Sequence, residues 1–355
     1  MKKRKSPLVP KSCKCRMEEN MKYPDFIEKN DVIGVTATSD GNRKEVDFTR
    51  LSLAEEKLKK RGYQVKMTEN VRTSRKGRSD TAFNRATQLL HLFEEESVKS
   101  IVLAKGGDFL MEMLPETDFT KISSHPKWVQ GFSDSTGLLF TITTNCDIAT
   151  IYSNHFNDFA MEPWHKSVCY NMDILEGNIP LQENFDMYED DFHDRVTGEE
   201  PYWQDKKVCW QGTEDEIEIS GRMLGGCLDV LLNLVGTRFD KVKEFNERYR
   251  EDGVIWYLES FDLNSECLAR GLWQLKEAGW FDMAKGFVFG RPCMYESAYG
   301  FSYQEAVMSV FERLHLPVIF DADIGHKAPQ FSVVNGAIGT WKFRGTGGSL
   351  ETKLK

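Results

Sequence analysis

The 355-residue chain has no run of eighteen apolar residues, so no transmembrane helix is expected. No apolar stretch follows its basic start, so no secretory signal is expected either, and a cytoplasmic address follows. Phosphate-loop spacing is also missing. Ser39-Asp40-Gly41, the one candidate anion loop after an early strand, fits neither G-x-G-x-x-G nor G-x-x-x-x-G-K-[ST], which argues against nucleotide-dependent transfer. Positive charge is not in excess: the net charge of −9 speaks against a general affinity for nucleic acid. The eight cysteines (Cys13, Cys15, Cys146, Cys169, Cys209, Cys227, Cys267 and Cys293) are scattered, which removes a disulfide framework. Cys13-Lys14-Cys15 has no second close cysteine or histidine pair to complete a tetrahedral site. No metal and no cofactor are expected.

The chain is long enough for two domains, each with a full core. Lys2, Lys3, Arg4, Lys5, Lys11, Lys14 and Arg16 lie in a start without hydrophobic pattern, which predicts a disordered basic extension over 1–22, with Met17 or Met21 as the functional start. From Asp31, short apolar runs alternate with amphipathic stretches. Strands are expected at Val32–Val35, from Gly62, at Ile101–Ala104, at Trp128–Gly131 and at Ile148–Tyr152, with helices over Phe48–Lys60 and Thr81–Glu95. This order predicts an α/β unit over 23–165: a mostly parallel sheet with helices on both faces, its functional residues at the carboxyl ends of the strands. The acidic, proline-punctuated segment 166–207 reads as an exposed linker or excursion, its carboxylates lacking the spacing of a calcium loop. A C-terminal unit over 208–355 follows, with strands at Val254–Leu258, Gly286–Gly290 and Pro317–Phe320, and Gly225-Gly226 opening an apolar helix.

Gly131-Phe132-Ser133-Asp134-Ser135 sits between a strand and an apolar helix, where a serine hydroxyl is pushed out above the sheet and backbone N–H groups face a developing negative charge. A serine there also serves as an ordinary helix cap, and the pentapeptide alone favours the cap. Lys105-Gly106-Gly107-Asp108 ends another strand, as a plain turn or as an oxyanion donor. A serine nucleophile needs a base and a carboxylate that orients it. His326 and His155 are the two histidines placed just beyond a strand; Glu259 ends an apolar strand, and Asp321 and Asp323 compete with it for the acid role.

Taken together, Gly77-Arg78-Ser79-Asp80-Thr81, Ala104-Lys105-Gly106-Gly107, Gly131-Phe132-Ser133-Asp134-Ser135-Thr136, Gly225-Gly226, Gly236-Thr237, Leu258-Glu259 and Gly325-His326 resemble the LD-carboxypeptidase family of serine peptidases, from about Asp31 to Trp341. That family includes the microcin C self-immunity peptidases. The resemblance implies Ser133 as nucleophile, Glu259 as acid, His326 as base, and the N–H groups of Gly107 and Asp134 as the oxyanion hole. It implies an N-terminal α/β domain and a C-terminal mixed α/β domain with the active site at their interface, and a homodimer. The implied substrate is a small peptide: a muropeptide at an L,D bond, or a peptide linked to a nucleotide. Gly106 and Trp210 are expected to line the substrate cleft, Trp203 or Trp210 stacking on a base or covering it. Two stretches depart from the family pattern near that cleft: Tyr152-Ser153-Asn154-His155-Phe156 where His-Gly-Pro is usual, and Asp108-Phe109 where Tyr-Gly is usual. The length before Trp210-Gln211-Gly212 is closer to the microcin C branch; a muropeptide carboxypeptidase, or a non-catalytic binding protein on the same fold, is the alternative.

Overall fold

A computed structural model describes residues 21–355. The expectations placed on residues 1–20, among them most of the basic extension, Met17 and Cys13-Lys14-Cys15, lie outside the described residues.

In the first half, strands β1 (Val32–Thr36), β2 (Gln64–Met67), β3 (Val98–Leu103), β4 (Trp128–Gly131) and β5 (Thr150–Tyr152) alternate with helices α1 (Glu45–Lys60), α2 (Ala82–Glu94), α3 (Phe119–Ser124), α4 (Thr136–Cys146) and α5 (Lys166–Leu175). Beyond them come the short strands β6 (Gln182–Glu183), β7 (Met187–Tyr188), β8 (Lys206–Lys207) and β9 (Gln211–Gly212). The second half holds β10 (Glu216–Cys227), α6 (Leu228–Leu234), α7 (Val242–Arg248), β11 (Val254–Glu259), α8 (Ser265–Glu277), β12 (Ala284–Gly290), α9 (Tyr303–Phe311), β13 (Val318–Ala322), β14 (Val333–Asn335), β15 (Ile338–Arg344) and β16 (Gly347–Lys353). None of the described helices is long and apolar enough to cross a membrane.

Two large sheets result. The first has the order β14-β5-β4-β3-β1-β2, parallel except for β14. Its inner strands, such as Ser100–Leu103 and Trp128–Gly131, are buried throughout, as continuous apolar runs covered on both faces must be. The second has the order β6-β16-β15-β10-β11-β12-β13-β9, with a parallel centre from β10 to β13 and antiparallel flanks. The mixed α/β architecture expected from the sequence is the one observed.

Three local differences have physical causes. Helix α1 starts a turn before Phe48, because Asp47 accepts the N–H groups of Lys44 and Arg43 and caps the extra turn. Gly225-Gly226 does not open a helix: it ends the long strand β10, in register with Tyr257 and Leu258 of β11. Segment 166–207 is not all exposed, for its first ten residues form α5, whose Val168, Ile174 and Leu175 are fully buried.

Helix α4 links the halves. Its sequence, TGLLFTITTNC, is apolar all round, and a helix of that kind has to be enclosed. It packs on β4 and β5 on one side and on β10, α6 and α7 on the other. The strand-to-helix turn before it is therefore carried to the carboxyl ends of β10 and β11.

Candidate active site

Between β4 and α4 the chain makes an elbow. Phe132 is extended, Ser133 to Ser135 form a single tight helical turn, and Ser133 itself has φ +61°. A left-handed serine costs roughly 1–3 kcal/mol and persists only where its surroundings hold it. Here Thr136 Oγ1 donates to the Ser133 carbonyl at 2.7 Å, and the Ser133 N–H is donated to Tyr152 Oη at 3.2 Å.

Ser133 Oγ lies 2.9 Å from His326 Nε2, and His326 Nδ1 lies 2.8 Å from Glu259 Oε2. An ionised carboxylate only accepts, so Nδ1 carries the proton and Nε2 is free to accept the serine hydroxyl. Glu259 ends β11 and is fully buried. Burial alone would raise its carboxyl, but electrostatic attraction to the neighbouring His326 and hydrogen bonds from His326, Tyr152 and Cys227 outweigh it and hold the group below its ordinary value. Gly325, at φ +95°, brings the chain so close that a Cβ there would stand 2.6 Å from Glu259 Oε2. The His326 ring is flanked by Phe261 and Phe132, at centroid distances of 4.6 and 5.3 Å.

The rival carboxylates are engaged elsewhere. Asp323 is buried in an ion pair with Arg291 at 2.6 Å, and Asp321 accepts from Gln211 at 2.9 Å. His155, the other candidate base, sits on the far side of the elbow. Its Nε2 is 3.2 Å from Ser135 Oγ and 3.4 Å from the Phe132 nitrogen, and burial, with repulsion from His326, pushes the imidazole down to about 3.

Gly106 and Gly107 run beside the nucleophile. A Cβ on Gly106 would lie 3.2 Å from Ser133 Oγ, so the backbone itself forms that wall. Gly107 has φ +151°, and a Cβ there would run into Ser39 Oγ. The Asp134 carboxylate is turned inward, accepting from Ser39 Oγ at 2.5 Å and from the Leu110 N–H at 2.8 Å. Burial raises its proton affinity, opposed by those two hydrogen bonds. Asp134 thus ties the elbow to the loop carrying Gly107.

Trp210 is a correction. Its indole is 1% exposed, packs on Phe331 and Trp341, and donates Nε1–H to Asp323 at 3.2 Å. A ring so enclosed fills the core of the second sheet and cannot stack on a substrate. Trp203 is 64% exposed and stacks on His193, with centroids 5.4 Å apart. Its segment reaches the site at two points: Asp190 pairs with Lys327 at 2.5 Å, and Phe192 leans on Phe261 at 5.9 Å.

Sequence reasoning missed Tyr152, Thr136 and Phe261. The available signal was Tyr152 ending a buried parallel strand, since a buried phenol has to find a partner. Among the described residues, no group of three or more His, Cys, Asp or Glu is gathered as a metal site would require.

The LD-carboxypeptidase N-terminal domain matches residues 33–153 and the LD-carboxypeptidase C-terminal domain residues 220–340, together well over half of the chain. A Bacillus subtilis protein named a probable murein peptide carboxypeptidase is 24% identical over 88% of this chain and 89% of its own length. The microcin C7 self-immunity protein MccF of Escherichia coli is 23% identical over 73% of this chain and 75% of its own. A solved structure of MccF in complex with aspartyl sulfamoyl adenosine superposes with a TM-score of 0.76, at 19% identity, covering 93% of this chain and 98% of that one. With both domain models matched in order, each carrying one side of the Ser133, His326 and Glu259 arrangement, this chain is a member of the LD-carboxypeptidase family.

Proposed function

We propose that the chain is a serine carboxypeptidase that cleaves a small peptide or peptide-like amide through an acyl-enzyme. The observation that carries the reading is the unbroken series from Ser133 Oγ through His326 to Glu259, at 2.9 and 2.8 Å. His326 takes the hydroxyl proton as Ser133 attacks the carbonyl, and Glu259 stabilises the imidazolium. The backbone N–H groups of Asp134 and Gly107 take the oxyanion; the Ser133 N–H, held by Tyr152, is not available for it. His326 then protonates the departing nitrogen, the C–N bond breaks, and water releases the acyl group by the same steps reversed. The reaction needs water as its one co-reactant.

For the substrate, a peptide linked to a nucleotide is the first class to test. The exposed Trp203 indole, on a segment that touches Phe261 and Lys327, supports it by offering a flat ring near the rim. MccF, whose solved complex holds aspartyl sulfamoyl adenosine, gives the same direction. An LD-muropeptide is the second class, favoured by the relative named a murein peptide carboxypeptidase. A cytoplasmic address and a homodimer, to be checked by fractionation and light scattering, belong to the same proposal.

The test is Ser133→Ala against a panel of LD-muropeptides and aminoacyl-nucleotide conjugates. The variant should lose about 10⁴-fold or more of the hydrolysis that the parent shows, with its melting curve unchanged. A fluorophosphonate should form an adduct on Ser133 of the parent alone. Turnover retained by Ser133→Ala would sink the assignment.

A further inference from the structure

We infer that Tyr152 is a positioning residue of this site, its single hydroxyl holding the acid and the nucleophile's backbone at once. The inference rests on the serine-peptidase reading above.

Tyr152 is the last residue of β5, paired with Gly131 at the end of β4, and its side chain is fully buried. Its Oη lies 2.6 Å from Glu259 Oε1 and 3.2 Å from the Ser133 nitrogen. A phenol has one proton and two acceptor sites, while a carboxylate only accepts and an N–H only donates. The directions are therefore forced: Tyr152 donates to Glu259 and accepts from Ser133. Burial, with the Glu259 charge beside it, keeps the phenol protonated far beyond its ordinary range, so the donor is permanent.

This has two consequences for the site. Both oxygens of Glu259 are assigned, Oε1 to Tyr152 and Oε2 to His326, which fixes the carboxylate plane against the imidazole. The Ser133 peptide, strained at φ +61°, is also held at each end from the second sheet. On the N–H side the link runs through Tyr152 to Glu259 of β11. On the carbonyl side Thr136 Oγ1 donates to Ser133 and accepts the Cys227 N–H of β10 at 3.0 Å. Cys227 and Glu259 are register partners at the ends of neighbouring strands, so one sheet edge supplies both anchors.

A purely structural tyrosine would act through its ring, which packs on Tyr257 at 5.6 Å and on Phe132 at 6.4 Å. Tyr152→Phe keeps that packing and removes only the hydroxyl. Three readouts decide the matter, with the melting temperature as the check on folding. The first is kcat and KM on the substrate that the parent cleaves. The second is the rate at which a fluorophosphonate labels Ser133. The third is the far-downfield proton resonance of the hydrogen bond between His326 Nδ1 and Glu259, identified by its loss in Glu259→Gln.

In Tyr152→Phe, kcat and the labelling rate should fall about ten- to a hundredfold while KM stays within about threefold, as for a misplaced catalytic group. The resonance should move further downfield, because Glu259 no longer shares its charge with the phenol. Equal kcat, equal labelling and an unmoved resonance would overturn the inference. If the parent neither labels nor hydrolyses any substrate, the serine-peptidase reading is what has failed. The resonance then still decides Tyr152: a shift supports it and no shift overturns it. If Tyr152→Phe does not fold, 3-fluorotyrosine at position 152 serves instead. It keeps the hydroxyl as a stronger donor and should move the resonance upfield; an unmoved resonance counts against the inference.

Discussion

The two sheets contribute different kinds of matter to the same few ångströms. The first supplies backbone: the left-handed Ser133, the inner wall at Gly106, and the loop at Gly107 tied down by Ser39 and Asp134. The one histidine it brings near, His155, is kept neutral by burial. The second supplies ionisable groups, Glu259 and His326, joined at 2.8 Å and walled by Phe261. Shape and charge thus fail by different routes. A site built from backbone is broken by one added methyl group, whereas a site built from charges is broken by isosteric changes that leave the shape intact.

The largest effect expected from breaking the shape side comes from Gly107→Ala. An added Cβ has nowhere to go at φ +151° with Ser39 Oγ in its path, so the loop must shift and its N–H would leave the proposed oxyanion position. Turnover of the folded protein should fall on the order of 10²–10³-fold, the usual effect of losing one such donor, and the melting temperature should drop as well, because the loop is strained. Wild-type kcat in this variant would remove Gly107 from the proposed oxyanion hole.

Trp210→Phe sharpens the comparison from the other sheet. The indole N–H to Asp323 is lost in a buried place, beside the Arg291 ion pair, so stability should fall by about 1–3 kcal/mol in urea titration. Neither kcat nor KM should move beyond the fraction unfolded. A selective rise in KM would return Trp210 to the substrate cleft.

What could be read in the sequence follows the same division. The alternating apolar runs and the Gly-rich turns of the first sheet are local features, and strands such as Trp128–Gly131 are where periodicity puts them. Ser133, Glu259 and His326 were legible because each follows a strand and because the family blocks fall in order; the structure brings the three side chains together. Long-range pairing was not legible. Val333–Asn335 crosses back to the first sheet beside β5, and no local pattern announces that. Trp210 was misplaced for the same reason: the family resemblance put it at the cleft, while Asp323, the partner that draws its indole into the core, lies 113 residues further along. Tyr152 escaped notice because its role depends on Glu259, which is brought to it only when the sheets meet around α4.

The smallest effect concerns pH and isolates the neutral histidine of the shape side. In the native state His155 titrates near 3, while the unfolded chain keeps the ordinary value of 6.5. Between those limits the unfolded state binds more protons, so this group's contribution to stability is complete above about 6.5 and is lost as pH falls toward 3. Its surroundings work in the same direction: His326, Lys105 and Arg50 all disfavour a charge there, opposed by the Phe132 backbone contact. His165, which burial pushes down to about 4, adds a second and separate share. His155→Gln retains an acceptor for Ser135 and the Phe132 N–H but cannot protonate. Its melting temperature should therefore fall less steeply between pH 6.5 and 4 than that of the parent, whatever its value at pH 7, with the residual slope carried by His165 and by paired carboxylates such as Glu112 and Asp190. Parallel melting curves across that interval would show that His155 is charged in the native state, and the elbow would then hold a second ionisable group, erasing the division between the two sheets.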